Sequence, residues 1–328
     1  MPRPSYRRVR SLVASVTAAL AVVTLAGTIP SLPAEAATPG LLDRSRLRVH
    51  EGNLTVTEDG AVVEDLEIRG MLRIEARDVV VRNVWVYASG QWTVYVAGGS
   101  ALFEHVEVGN PQVLGMRGIG GANITVRLAD IHHVEDGIKM GSNSVYDNVR
   151  VHDLGSPSSS PHGDAIQNDG GNSNVIVRNS YLDSRGSWGL GNAALQIDTS
   201  LGRIDNIRVE NNFLNGGNYT VFWREGGHGV PTNGVFVNNR FGRDHRYGLF
   251  SIDGSSITRQ GNVWADTGLP IDGSQGPVPS TTTPPVTTTT VRPTTTTAPV
   301  TTTTVRPTTT TTVRPTTTTV APTTTVAP

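Results

Sequence analysis

Residues 79–85 read VVVRNVW, 175–181 read VIVRNSY and 207–213 read IRVENNF. Each is a short alternating apolar run that ends in Arg-Asn or Glu-Asn, with an aromatic two residues after the asparagine. The Asn-x-aromatic unit recurs at Asn83–Trp85, Asn179–Tyr181, Asn211–Phe213, Asn239–Phe241 and Asn262–Trp264. Weaker copies fill the gap at 102–108 (LFEHVEV), 124–130 (ITVRLAD) and 149–153 (VRVHD). Taking Asn83, His105, Leu128, Val151, Asn179, Asn211, Asn239 and Asn262 as equivalents gives intervals of 22 to 32 residues. Alternation marks half-buried strands, and a recurring period of this size marks a repeat architecture. A single short coil cannot bury its own apolar face, but stacked coils close one continuous core. Asparagine tolerates left-handed backbone in the turn, and stacked copies are expected to bond amide to amide. The aromatics should then form a column of their own. A propeller or sandwich would need longer repeats or hairpin turns, and neither is evident. The pattern predicts an all-β parallel solenoid over 37–275, of about eight or nine coils.

The repeats VxVRNxW/Y and VENNF resemble those of the secreted right-handed parallel β-helix superfamily, which contains pectate lyases, alginate lyases and polygalacturonases. The resemblance covers roughly residues 45–270. It implies the fold, an extracellular setting and a carbohydrate substrate, and it assigns no residue a role.

The 328-residue chain carries a formal charge of −1, which hides a segregation. Residues 1–36 hold four arginines and one acid, residues 280–328 hold three arginines and none, and 37–279 hold 20 basic and 27 acidic residues, a net of −7. That middle lacks the basic footprint of a nucleic-acid binder. The chain has no cysteine, which excludes disulfides, thiolate metal sites and cysteine nucleophiles. Residues 1–36 combine a basic start, an apolar run over 12–26 and Ala34-Glu35-Ala36, the three-part form of a secretory signal peptide rather than a membrane span. From 276 to 328 threonine and regular proline dominate, with Val-Arg-Pro at 291–293, 305–307 and 313–315. Such composition reads as a disordered stalk, a spacer that can hold the folded part at a cell surface or wall.

Aligning the strands that open successive coils gives DGIKMG (136–141), DAIQND (164–169), AALQID (193–198), YTVFWRE (219–225) and YGLFSID (247–253). With Ile138, Ile166, Leu195, Val221 and Leu249 inward, and Met140, Asn168, Ile197, Trp223 and Ser251 inward as well, the remaining columns face out. They are Asp136, Asp164, Ala193, Tyr219, Tyr247; Lys139, Gln167, Gln196, Phe222, Phe250; and Gly141, Asp169, Asp198, Arg224. Acids and amides for hydroxyls, with flat rings for sugar faces, suit a polysaccharide groove. The longest insertions, 156–163 and 184–192, flank this face and carry His162 and Trp188.

Two chemistries fit these residues. Lys139 is the only lysine of the chain, and lysine can serve as a base where arginine cannot. Slightly favoured is therefore β-elimination, with Lys139 removing a proton, Arg224 neutralising a carboxylate, and Asp136, Asp164, Asp169 and Asp198 available to gather calcium. Hydrolysis by Asp164, Asp169 and Asp198, with His162 as a proton carrier, is the alternative. Asp136, Gln167, Gln196, Trp188, Phe222 and Tyr247 would bind the glycan in either case. The −7 charge opposes a polyuronate and sits more easily with a neutral glycan. A third reading, from a different class, is a non-catalytic surface adhesin.

Overall fold

The computed structural model describes residues 38–159, 162–254 and 257–271. The expected signal peptide and the Thr/Pro stalk lie outside the described residues. Every registered pair of strands is parallel, and the chain winds as a parallel β-helix. One sheet has nine strands, one per coil: Leu54–Val56, Leu72–Ile74, Val94–Val96, Gly115–Gly121, Val134–Lys139, Asp164–Asn168, Ala193–Asp198, Tyr219–Arg224 and Gly248–Ile252. This is the sheet on which the polar columns were expected. The other sheet begins with the short Arg48–Glu51, followed by three long strands, Val62–Arg69, Val79–Val86 and Ala101–Val108, each bent at a left-handed residue. Beyond Ala101–Val108 it divides into two arms, one led by Ile124–Arg127 and the other by Asp130–His132.

The left-handed corner is formed by Asp65, Asn83, His105, Leu128, Asn148, Asn179, Asn211 and Asn238, with φ between 50 and 57°. Asparagine and aspartate enter this region at low cost because their short side chains bond locally. The expected equivalents Val151, Asn239 and Asn262 are corrected to Asn148, Asn238 and Gly261. Pairing of Asp147 with Arg127 and Arg178, and of Val237 with Glu210 and Gln260, sets that register. Phe241 therefore stands three residues past its corner instead of two, and its ring turns into the core. Only Tyr181 and Phe213 keep the expected outer stack, at 4.8 Å.

The amide ladder exists, but one residue past the corner. Asn212 Nδ2 donates to Asn239 Oδ1 (3.1 Å) and Asn239 Nδ2 to Asn262 Oδ1 (3.0 Å), while their backbone N–H groups donate to the same oxygens. All three are buried. Buried amides this well partnered specify the register of the coils as the apolar residues alone cannot.

Strict alternation fails at one column of the nine-stranded sheet. Ala165, Ala194 and Thr220 are fully buried, and so are their successors Ile166, Leu195 and Val221. At Gly137 a Cβ would lie 2.5 Å from Val151 Cγ1 and 2.6 Å from Ala165 O, so that position also faces the interior. Two consecutive inward columns mean that the strands bend there, and only small residues fit the inside of the bend. Asp136 consequently reaches the same outer face as Lys139, three residues on.

Candidate functional site

Three outward columns follow from the strand register. The first is Arg117, Asp136, Asp164, Ala193, Tyr219 and Gly248. The second is Tyr95, Gly120, Lys139, Gln167, Gln196, Phe222 and Ser251. The third is Asp169, Asp198 and Arg224. Neighbours within a column are about 4.8 Å apart, the spacing of paired strands.

The first column holds a carboxyl pair on adjoining coils. The Asp164 N–H donates to Asp136 Oδ1 at 3.3 Å. Asn192 Nδ2 donates to Asp164 Oδ1 at 2.9 Å and to Gln196 Oε1 at 2.6 Å, while Asp164 Oδ2 is buried without a partner. Burial raises the Asp136 carboxyl to about 6, with Glu135 adding to the rise and Lys139, the Asp164 N–H and Arg117 opposing it. Burial, then the charge of Asp136, pushes Asp164 well above the usual carboxylate range. Two such groups side by side share charge poorly, so the pair retains a proton well above the ordinary aspartate range.

Asp164 was expected on an open face, and this is corrected: it is only 1% exposed. The two insertions roof it. Asn192 N–H donates to Gly163 O at 2.8 Å, and the Trp188 ring lies so close over Gly163 that a Cβ there would be 2.5 Å from Cζ2. Trp188 is therefore part of the roof, half-buried with its ring packed over Gly163. Glu135 accepts from Ser156 Oγ and from the His162 N–H (3.1 Å) of the first insertion. His162 itself stands at the exposed rim.

The second column carries the groove proper, about 520 Å³, lined among others by Trp92, Tyr95, Lys139, Gln167, Asp169 and Leu201. Lys139 faces it, as expected, and its Nζ donates to Gln167 Oε1 (2.6 Å) and Asp169 Oδ2 (2.5 Å). Trp92 stacks on Tyr95 at 4.6 Å and covers Gly120, where a Cβ would strike its ring at 2.3 Å. At the far end Phe222 meets the Tyr219 ring edge-on at 5.4 Å. Rings thus flank an amide–amine centre along the axis.

Several expected partners stand elsewhere. Arg224 lies three coils from Lys139, about 14 Å along the axis, and leans to Asp253 at 3.8 Å. Asp198 closes its own turn by accepting from Ser200 N–H (2.7 Å) and Ser200 Oγ. In the last coil the register is one residue off the expected one. Gly248, not Tyr247, opposes Tyr219, and Phe250 opposes Val221 and packs on Phe241. The exposed Tyr247 ring still approaches Tyr219 at 5.7 Å. The four aspartates proposed for calcium do not converge, and among the described residues no three His, Asp or Glu side chains are placed to hold a metal. The site does not fit that ion. Sequence reasoning also missed Arg117, Trp92, Tyr95 and Asn192. Counting the columns back two coils would have found Tyr95, and Gly120 in a strand signals a close approach, here by a covering ring.

Among the described residues no helix is long and apolar enough to cross a membrane. No family model and no curated protein matches the chain. Among solved structures it is similar to a trypsin-treated variant of QnrB1, a plasmid-mediated fluoroquinolone resistance protein. Identity is 10%, over 68% of this chain and 90% of that one, and the TM-score is 0.21. A likeness at that level carries no argument, so the parallel β-helix stands on its own strand register.

Proposed function

We propose that this β-helix binds an extracellular polysaccharide along the nine-stranded sheet and cleaves it by acid–base chemistry at Asp136 and Asp164. The observation that carries this reading is the carboxyl pair itself, two acids on adjoining coils whose titration is pushed upward beside a ring-flanked polar groove. A pair that holds one proton between two carboxyls offers both an acid and a base. Asp136, the partly exposed member, donates its proton to the departing glycosidic oxygen and, once ionised, takes a proton from the attacking water, while Asp164, buried under the roof, is its positioning neighbour. Gln167, Gln196 and Lys139 supply hydroxyl contacts, and Tyr95, Tyr219 and Phe222 supply apolar ones. Export and display at the cell surface belong to the same proposal and draw on segments 1–36 and 276–328.

β-Elimination by Lys139 is the second reading, favoured by its position in the groove. A base needs a lone pair, however, and Lys139 Nζ donates to two acceptors while Arg224 stands three coils away. A panel of polysaccharides digested with the protein, followed by reducing ends and by ultraviolet absorbance of unsaturated products, separates the readings. Reducing ends without absorbance, abolished in Asp136→Asn, are expected. Absorbance that vanishes in Lys139→Ala would move the reaction to elimination. Binding with neither product would make the protein an adhesin.

A further inference from the structure

Arg117 stands one coil before Asp136 in the same outward column, and its guanidinium lies 5.2 Å from the centre of the Trp92 ring. Four arginines of the described residues are half-buried: Arg73, Arg117, Arg178 and Arg208. Three have carboxylate partners, Glu75 at 2.6 Å, Asp147 at 2.8 Å and Glu210 at 2.7 Å. Arg117 has no ion pair among the described residues, and its Nε is buried with no hydrogen-bond partner. Asp136, one coil on, feels the charge of Arg117 but makes no ion pair with it, and stacking on an indole recovers only part of the cost of removing a guanidinium from water. Thr93 Oγ1, which neighbours it, and Asp164 Oδ2 and Trp188 Nε1, two coils on, are also buried without partners. Native interiors rarely leave polar atoms so, and two unpartnered donors on neighbouring residues, Arg117 Nε and Thr93 Oγ1, point to an acceptor-bearing ligand.

We infer that Arg117 is an anion subsite of the groove, taking a carboxylate or sulfate ester on the sugar that lies one coil before Asp136, in a glycan otherwise neutral. The planar fork of a guanidinium matches both groups through paired hydrogen bonds. The rest of the chain of sugars is neutral because the other cations near the groove are already answered. Lys139 is held by Asp169 and Arg224 lies beside Asp253, and a densely anionic polymer would be repelled by a domain of net −7 over 37–279. This inference rests on the glycan reading above and adds to it the chemical class of one substituent and its place.

The test is a titration of tryptophan emission in the full chain with sodium glucuronate, sodium methyl sulfate and methyl glucoside at constant ionic strength. A saturable change with an anion but not with methyl glucoside is expected, absent in Trp92→Phe because the responding ring is the one under the guanidinium. Affinity should fall at least tenfold in Arg117→Gln and in Arg117→Lys, which keeps the charge and loses the fork. It should be unchanged in Arg203→Gln, an exposed arginine. Response to glucuronate alone assigns a carboxylate, and to methyl sulfate alone an ester. No saturable change in the wild type, or one that both Arg117 variants retain, overturns the subsite. Cleavage is not read in this titration. Anion binding at Arg117 without cleavage of any glycan would count against the proposed reaction alone, and cleavage without anion binding against the subsite alone.

Discussion

Replacing Asp136 by asparagine keeps an oxygen for the Asp164 N–H and removes a carboxylate that folding strips of water. The folded chain holds the Asp136 proton to about pH 6, against 3.8 for an ordinary aspartate, chiefly because of burial. Below 3.8 both states are protonated and the group is neutral in its effect. Between 3.8 and about 6 only the folded state keeps the proton, so stability falls as pH rises through this window. At about 1.36 kcal/mol per unit, the rise from 3.8 to about 6 costs the fold about 3 kcal/mol once the pH is above 6. Asp136→Asn is therefore expected to be more stable than the wild type at pH 7–8, and no more stable at pH 3.5. At about 2–4 °C per kcal/mol for a domain of this size, the gain in melting temperature is about 6–12 °C. Asp164 adds to it, since the charge of Asp136 is one of the causes that raise its carboxyl. Melting curves by circular dichroism from pH 3.5 to 8, paired with the reducing-end assay, read both effects. A variant that melts below the wild type at pH 7, or whose difference does not grow with pH, would refute the reasoning. Stability gained where activity is lost is what a strained catalytic pair implies.

Gly120→Ala puts a Cβ 2.3 Å from the Trp92 ring. The ring must leave Tyr95, with a shifted tryptophan emission and glycan affinity lowered about tenfold, a loss of about 1–2 kcal/mol in ring contacts. Asn239→Ala removes the oxygen that accepts from both the backbone and the side chain of Asn212. The Asn212 N–H and one hydrogen of its Nδ2, whose other hydrogen stays on Val177 O, are left unpaired, which should cost about 2–4 kcal/mol, read as a fall in melting temperature. His152 is pulled down by burial, but the hydrogen bonds its ring donates to Asp130 and Asp153 outweigh this and leave it raised above 6.5. Its contribution is whole below pH 6.5 and is lost as pH rises through the folded value. His152→Gln should therefore lower the melting temperature at pH 5–6 and hardly at pH 9.

The coils were legible because their corner is chemical as well as steric. Asn83, Asn179 and Asn211 sit where a left-handed residue is required, and the alternating runs before them show which face is buried. What misled was the doubled asparagine. In Asn211-Asn212 the first takes the corner and the second the buried ladder, and the same holds for Asn238-Asn239. Pattern alone cannot say which of two adjacent asparagines has the positive φ. The aromatic decides: Phe213 falls two residues past its corner and stays outside, while Phe241 falls three past and is buried. A one-residue error reverses the face of everything downstream, which is why the final coil, with Tyr247 and Phe250, was misplaced.

Asp136 and Lys139 were placed on one face by a pattern that, taken strictly, forbids it, since residues three apart in a regular strand point to opposite sides. The column Gly118, Gly137, Ala165, Ala194, Thr220 resolves the conflict. These residues are small because both they and their successors point inward, and the bend they allow swings Asp136 and Asp164 outward beneath Gly163, Trp188 and Asn192 of the two insertions. Small size at that one column is therefore a condition of the chemistry and not only of packing. It sets the direction of the carboxyls, the insertions set their burial, and burial is the first cause of both raised titrations. A chain with the same aspartates but a side chain larger than threonine at Ala165 would have no room for the bend. Its aspartate would either point into the core or drag the strand out of register. The small column, the paired acids and the two long insertions have to occur together, and in this sequence they do.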